Sequence, residues 1–309
     1  MFHALACVVL AYSPAPRFSP TFRTAPLMMA EQHPDAALFE NLIEMGNARS
    51  AVTLRRSDLG RSLVASKDVE AGDLLLSIPM KLTLTCHRSG VVGGLVGQTD
   101  LVEEAAGDLR AEVGEEMFNF GATWDVRLAV AVLEATAGAG GPFWDQYRKL
   151  LPLPPDLTHP ICLPEQTVPE LQDMPLVTEA RERSALLERV YPELVDHTAH
   201  PATASYINRG APTELVPPPL SWAYALVVSR CFTQSHDGDT FAFVPFLDMA
   251  QHSDNPSANF TSDQRGFTLR ALRPVCEGEP ITICYGEDYT SRRLFSQYGF
   301  SPGEGTAQV

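Results

Sequence analysis

Strand-forming runs stand at both ends of this 309-residue chain, with helix-forming sequence between them, and that order restricts what it can fold into. The stretch AVTLRRSDLGRSLVASKDVEAGDLLLSIP (51–79) reads as three short strands. Turns are marked at Ser57-Asp58-Leu59-Gly60 and again at 69–73, and Pro79 stops the apolar run Leu74 to Ile78. From Phe241 to Phe300 the same texture returns as FAFVPFLDMAQHSDNPSANF, then GFTLRALRPVCEGEPITICYGEDY, then TSRRLFSQYGF. Between about 90 and 219 the period is helical and broken by prolines. A β portion, a helical block and a second β portion imply an α+β fold in which the two β portions join in space.

The helical expectations are specific. Pro34 to Asn47 is a short amphipathic helix with Leu38, Leu42 and Met45 near one face. Trp124 to Ala137 is rich in helix formers, and Phe143 to Leu151 (FWDQYRKLL) runs until Pro152. Glu170 to Tyr191 is expected to be helical on both sides of Pro175, and Leu220 to Gln234 to be one buried helix. The glycine runs Gly90 to Gly97 and Gly138 to Gly141 lie between no strand and helix start, so they read as loops rather than a dinucleotide turn.

Composition narrows the function classes. With 23 basic and 38 acidic residues the formal net charge is −15. Such a surface repels nucleic acid and anionic membranes and favours a basic protein segment as partner, although acidity also serves solubility alone. Cys7, Cys86, Cys162, Cys231, Cys276 and Cys284 form no Cys-x-x-Cys pair and no zinc spacing, so no metal is expected and a reducing compartment suits them. Residues 1–30 carry no Asp or Glu but do carry Arg17 and Arg23. The apolar run Ala4 to Ala11 is too short to span a bilayer and matches a signal-peptide core. This segment resembles a two-part plastid address; a disordered tail or a mis-assigned start codon are the other readings.

Several residues could carry chemistry. Tyr285 ends the apolar run ITICY, and Tyr298 follows thirteen positions later in Tyr-Gly-Phe, after a helix from about Tyr289. Taken alone, a Tyr there is more often a core aromatic. Gln251-His252 closes PFLDMAQH, Arg230 closes LSWAYALVVSR, and Gly60-Arg61-Ser62-Leu63 forms a turn where glycine permits φ > 0. Alone, these would be a surface amide with a capping His, a helix C-terminal cation and a plain hairpin. The neighbours His252, Ser253 and Asp254 cannot form a hydrolase triad, which needs spatial convergence and an oxyanion hole.

In order and spacing, these pieces from about Ala51 to Phe300 resemble the SET-domain protein methyltransferases, in particular the branch of the Rubisco large-subunit lysine methyltransferase. The resemblance implies several small sheets with a knot-like C-terminal crossing, a large helical insertion at about 90–219 and a SET domain over 31–300. It further implies an S-adenosylmethionine-dependent protein-lysine N-methyltransferase. Carried over, Tyr285 is the active-site phenol, while Ile283 and Tyr298 line the channel for the substrate side chain. Gly60, Arg61, Ser62, Leu63, Arg230, Gln251, His252 and Phe300 hold the cofactor, Arg230 at its methionine carboxylate and Phe300 against its adenine. The absence of Cys-rich flanking modules fits this branch. Two positions depart from the pattern: Ser62 stands where the family has a second glycine, and Gln251 where it has Asn. Family members continue with a helical, substrate-docking lobe, whereas residues 301–309 form only a short tail.

Methyl transfer from a sulfonium is an in-line displacement by a neutral amine. Alignment is therefore the main task, and an aromatic, water-poor channel helps a lysine lose its proton. A phenol and carbonyl oxygens can face the polarised methyl through weak C–H···O contacts. The resemblance leaves two alternatives, a SET-fold binding or scaffold protein without catalysis and a protein-histidine N-methyltransferase. A protein substrate, no nucleic acid, no membrane and a monomer complete the expectation.

Overall fold

The computed structural model describes residues 33–57, 60–88, 92–94, 124–234, 238–286 and 290–300. The address-like segment 1–30, turn residues Asp58 and Leu59, most of 90–123 and the tail 301–309 lie outside these. The first element, α1 (Pro34–Met45), opens where the His33 ring accepts a hydrogen bond from the Asp35 N–H at 3.2 Å. It buries Ala36, Phe39 and Leu42, while Met45 is 52% exposed. The expected face of Leu38, Leu42 and Met45 is thus rotated, because Phe39 rather than Leu38 packs inward, edge-on to Phe246 at 5.1 Å.

Twelve short strands follow among the described residues. The N-terminal portion supplies β1 (Arg49–Ser50), β2 (Val52–Ser57), β3 (Gly60–Ala65), β4 (Leu74–Pro79), β5 (Leu84–His87) and β6 (Val92–Gly94). The C-terminal portion supplies β7 (Cys231–Thr233), β8 (Thr240–Phe243), β9 (Gln251–His252), β10 (Ala258–Asp263), β11 (Gly266–Ala271) and β12 (Thr282–Ile283). Two of the four small sheets mix the portions, with orders β1-β4-β11-β10 and β6-β5-β8-β7. Leu76 lies opposite Leu269, and Leu84 opposite Phe243, all four buried. Alternation along each strand therefore sends one side-chain row from each portion into a common core. The hairpin β2-β3 is tied on by the Ile281 N–H to Leu63 O (2.9 Å) and the Ala65 N–H to Glu279 O (3.0 Å).

Between β6 and β7 the described residues form α2 (Trp124–Glu134), α3 (Gly141–Tyr147), α4 (Met174–Val190), α5 (Pro201–Ile207) and α6 (Pro219–Arg230). The most buried of these, α2 and α6, pack on each other. Phe143, Trp144 and Tyr147 of α3 are buried, and Phe143 and Tyr147 pack edge-on to Phe246. Burying each such ring contributes on the order of 2 kcal/mol, which fastens the insertion to the sheets.

Four further expectations are corrected. Pro175 sits in the first turn of α4 instead of mid-helix, because Asp173 caps that end by accepting from the Leu176 N–H. The helix expected over Leu220 to Gln234 stops at Arg230, where pairing with β8 draws Cys231–Thr233 into a strand. Val92–Gly94, expected as loop, pairs with β5. The ITICY strand shrinks to Thr282–Ile283, which lies parallel beside β9 where the chain crossing is expected.

Candidate active site

The crossing puts Tyr285 at the centre of an aromatic group. Its ring centroid is 4.7 Å from that of Tyr298, 5.2 Å from His252 and 6.5 Å from Phe300. Its hydroxyl donates to Ala250 O at 2.7 Å, and burial pushes the phenol up to about 12. The His252 Nδ1 accepts from the Tyr285 N–H at 3.3 Å, so the ring proton sits on Nε2, 3.2 Å from Asp254. The imidazole thereby fixes the backbone on which the phenol stands.

Tyr298 and Phe300 arrive on α7 (Ser291–Tyr298). Thr290 caps its start by accepting from the Arg293 N–H, and Gly299 closes it at φ 78°. No side chain fits there: a Cβ would stand 2.9 Å from both His159 N and Thr158 Oγ1. The Thr158 hydroxyl also donates to Gly299 O at 2.7 Å, so the insertion clamps the Tyr-Gly-Phe.

Arg230, at the end of α6, donates to Asp248 O at 2.9 Å and approaches Asp248 Oδ2 at 3.3 Å. Asp248 is buried, and burial pushes its carboxyl above the usual range despite Arg230. The Tyr147 hydroxyl donates to the other oxygen of Asp248 and accepts from the Phe246 N–H at 2.8 Å. Phe246 adopts φ 72°, a strained conformation for a bulky residue, and this bond holds it. Sequence reading missed both Asp248 and Tyr147. Their signal was an acid inside the apolar run PFLDMA and a phenol inside FWDQY, because buried polar groups need partners.

Arg230, Ile283, Tyr285 and Tyr298 line one cavity of about 260 Å³, together with Ser229 and Ala250. Phe300 and His252 stand beside it through their ring contacts. Gly60, at φ 104°, opens β3, and the turn is joined to the crossing by the Gln251 amide, which donates to Arg61 O at 2.7 Å. One amide proton expected for a cofactor is therefore committed to the protein. The Arg61 guanidinium is held by Asp35 at 2.8 Å and Leu150 O at 2.9 Å, and the Leu63 side chain is wholly in the core. Both side chains are thus engaged within the protein, Ile281 already occupies the Leu63 carbonyl, and none of Gly60, Arg61, Ser62 and Leu63 lines the cavity. Among the described residues no three His, Cys, Asp or Glu side chains cluster to hold a metal. No described helix is long and apolar enough to cross a membrane.

Comparison with known proteins bears on the family and the fold. SET domain-containing protein 4 of Mus musculus is 25% identical over 261 residues, covering 78% of this chain and 52% of the mouse protein. N-lysine methyltransferase SETD6 of Bos taurus is 26% identical over 264 residues, covering 81% and 52%. The chain thus spans about half the length of the curated relatives it matches. The SET domain of LSMT, solved with lysine and AdoHcy, superposes with a TM-score of 0.58 at 17% identity, covering 87% of this chain and 57% of that one. At that identity the likeness is one of fold. The SET-domain model matches residues 60–286, from the first residue of β3 to the glycine after Tyr285. With strands of both β portions and most of the chain inside that match, the chain belongs to the SET-domain family.

Proposed function

We propose that this protein is an S-adenosylmethionine-dependent protein N-methyltransferase acting on a lysine side chain. The observation that carries this reading is the convergence of Arg230, Ile283, Tyr285 and Tyr298 on one small aromatic cavity from three separate chain segments. The donor set fits the cofactor. A guanidinium matches its carboxylate, and the rings of Tyr285, Tyr298 and Phe300 offer faces to its cationic and adenine parts. When bound, S-adenosylmethionine supplies an electrophilic methyl group on sulfur. Arg230, steadied by Asp248, would orient the carboxylate end. The Gly60 to Ser62 turn, tied to the crossing by the Gln251 amide, would contribute backbone contacts, and Phe300 would pack on the adenine.

Tyr285 and Tyr298 exclude water from the incoming amine, which lowers its pKa and exposes its lone pair. At an elevated pKa the Tyr285 phenol keeps its proton and donates it to Ala250 O, and its oxygen remains an acceptor on the cavity wall. The residues contribute position and desolvation, and several kcal/mol of barrier reduction is within reach of orientation alone. Residues 1–30 are proposed to direct the protein to a plastid; a fluorescent fusion of residues 1–40 that stays in the cytosol would remove that part.

Calorimetry of the folded chain with S-adenosylmethionine is the test, with saturable one-to-one binding expected. Absence of binding by a folded sample overturns the enzyme reading and leaves a binding protein of the same fold. Mass spectrometry of the methylated product then separates lysine from histidine as acceptor.

A further inference from the structure

A second cavity, of about 450 Å³, opens beside the first and shares Cys231, Thr233 and Gln297 with it as a common wall. Its sides are aromatic. Trp124 stacks on Phe241 with ring centroids 3.8 Å apart, and Tyr224 faces His159 at 6.3 Å. Its charges are matched within the protein. Arg183 lies 5.2 Å over the Tyr224 ring and 3.8 Å from Asp125, which also accepts from the Tyr224 hydroxyl at 3.0 Å. Burial pushes His159 down to about 4, so that ring is neutral at physiological pH. Glu179 and Arg293 add one charge of each sign to the lining. With Asp125 behind Arg183 counted, the cavity offers aromatic faces and no net charge, unlike the acidic molecule as a whole.

We propose that this second cavity is a specificity pocket that takes a large aliphatic or aromatic side chain of the protein substrate, one or two residues from the acceptor. The proposal rests on the reading of the first cavity as the place where the acceptor side chain meets the methyl donor. The shared wall sets the spacing: in an extended peptide, side chains two positions apart lie roughly 7 Å from each other on one face. The volume accommodates a ring or a leucine, and the Trp124–Phe241 pair gives an aromatic side chain a surface to pack on. A carboxylate there would meet no unmatched cation, and a lysine no unmatched anion, so both are disfavoured relative to apolar residues. Substrate choice would thus combine a basic segment, attracted at long range, with one apolar anchor beside the acceptor.

The test is equilibrium binding, by fluorescence anisotropy, of labelled nine-residue peptides to the full chain saturated with S-adenosylmethionine. Norleucine replaces the acceptor lysine, so binding is read without turnover. Phe, Leu, Ala or Glu is placed in turn at each of the four nearest positions. At one position, Phe and Leu should bind at least tenfold more tightly than Ala, a difference of about 1.4 kcal/mol, with Glu no better than Ala. Ala180→Leu, which fills the cavity from α4, should abolish that advantage, and Trp124→Ala should reduce it. Each variant is checked for cofactor binding as a measure of its fold, and the second serves if the first does not fold. Equal affinities at all four positions, or no peptide binding by a protein that does bind S-adenosylmethionine, overturn the pocket alone. Failure to bind S-adenosylmethionine overturns the underlying enzyme reading.

Discussion

Tyr285 cannot act as a base at neutral pH, because burial raises its phenol to about 12 and the proton is given to Ala250 O. In the proposed mechanism its contribution lies in where its oxygen stands. Tyr285→Phe should leave S-adenosylmethionine affinity within about twofold yet slow transfer about a hundredfold, the scale of losing one oriented polar group at a reacting centre. Single-turnover kinetics beside calorimetry separates the two, and unchanged turnover removes Tyr285 from the mechanism. Tyr147 works one layer below. Tyr147→Phe strips a donor from Asp248 and leaves the Phe246 N–H without the hydroxyl that accepts from it, at a φ that bulky residues resist. Two buried groups so affected predict a loss of about 3 kcal/mol in denaturant unfolding. Burial, and then the Asp248 charge, raise the Tyr147 phenol well above 10. Its share of stability is therefore complete below pH 10 and is lost as pH rises beyond that, a decline the Phe variant should not share. An unfolding midpoint equal to the parent's would show that the network carries no stability.

At the scale of elements, the end of α7 decides whether two site residues arrive together. Gly299→Ala forces a Cβ to within 2.9 Å of the His159 backbone at φ 78°. Strain of about 1–2 kcal/mol and displacement of Thr158 should lower both the melting temperature and the S-adenosylmethionine affinity. A variant that matches the parent in both would mean that the clamp does not position Phe300. How legible the elements were from sequence follows local chemistry. The strands β2 to β4 and the Tyr-Gly-Phe ending were readable because Gly, Pro and Asp mark their limits. The switch from α6 to β7 was not, since LSWAYALVVSRCFTQ contains no stop signal and only pairing with β8 makes Cys231–Thr233 a strand. The rotated face of α1 has a similar origin: Leu38 and Phe39 are equally apolar, and which one faces inward depends on Phe246. For the site, sequence motifs named Arg230, Ile283, Tyr285 and Tyr298, which do meet at one cavity. They could not supply Asp248 or Tyr147, whose pairing joins positions 101 apart.

At the scale of the whole molecule, a surface with 15 more negative than positive charges should act on the substrate before any pocket does. Its field reaches on the order of 10 Å at 0.1 M salt and shrinks to about 3 Å at 1 M. Capture of a Lys- and Arg-rich peptide should therefore weaken as salt rises, whereas the steps inside the cavity, where groups are buried and paired, should not. Between 50 and 500 mM salt the KM for a basic peptide is expected to rise about tenfold through slower association, with kcat nearly constant. Steady-state kinetics at several salt concentrations measures both, and an uncharged peptide carrying the same acceptor and apolar anchor is the control. A KM that ignores salt for the basic peptide would assign the acidic surface to solubility alone. A kcat that falls with it would place an exposed ion pair inside the chemical step, contrary to the buried Arg230–Asp248 contact on which the site is built.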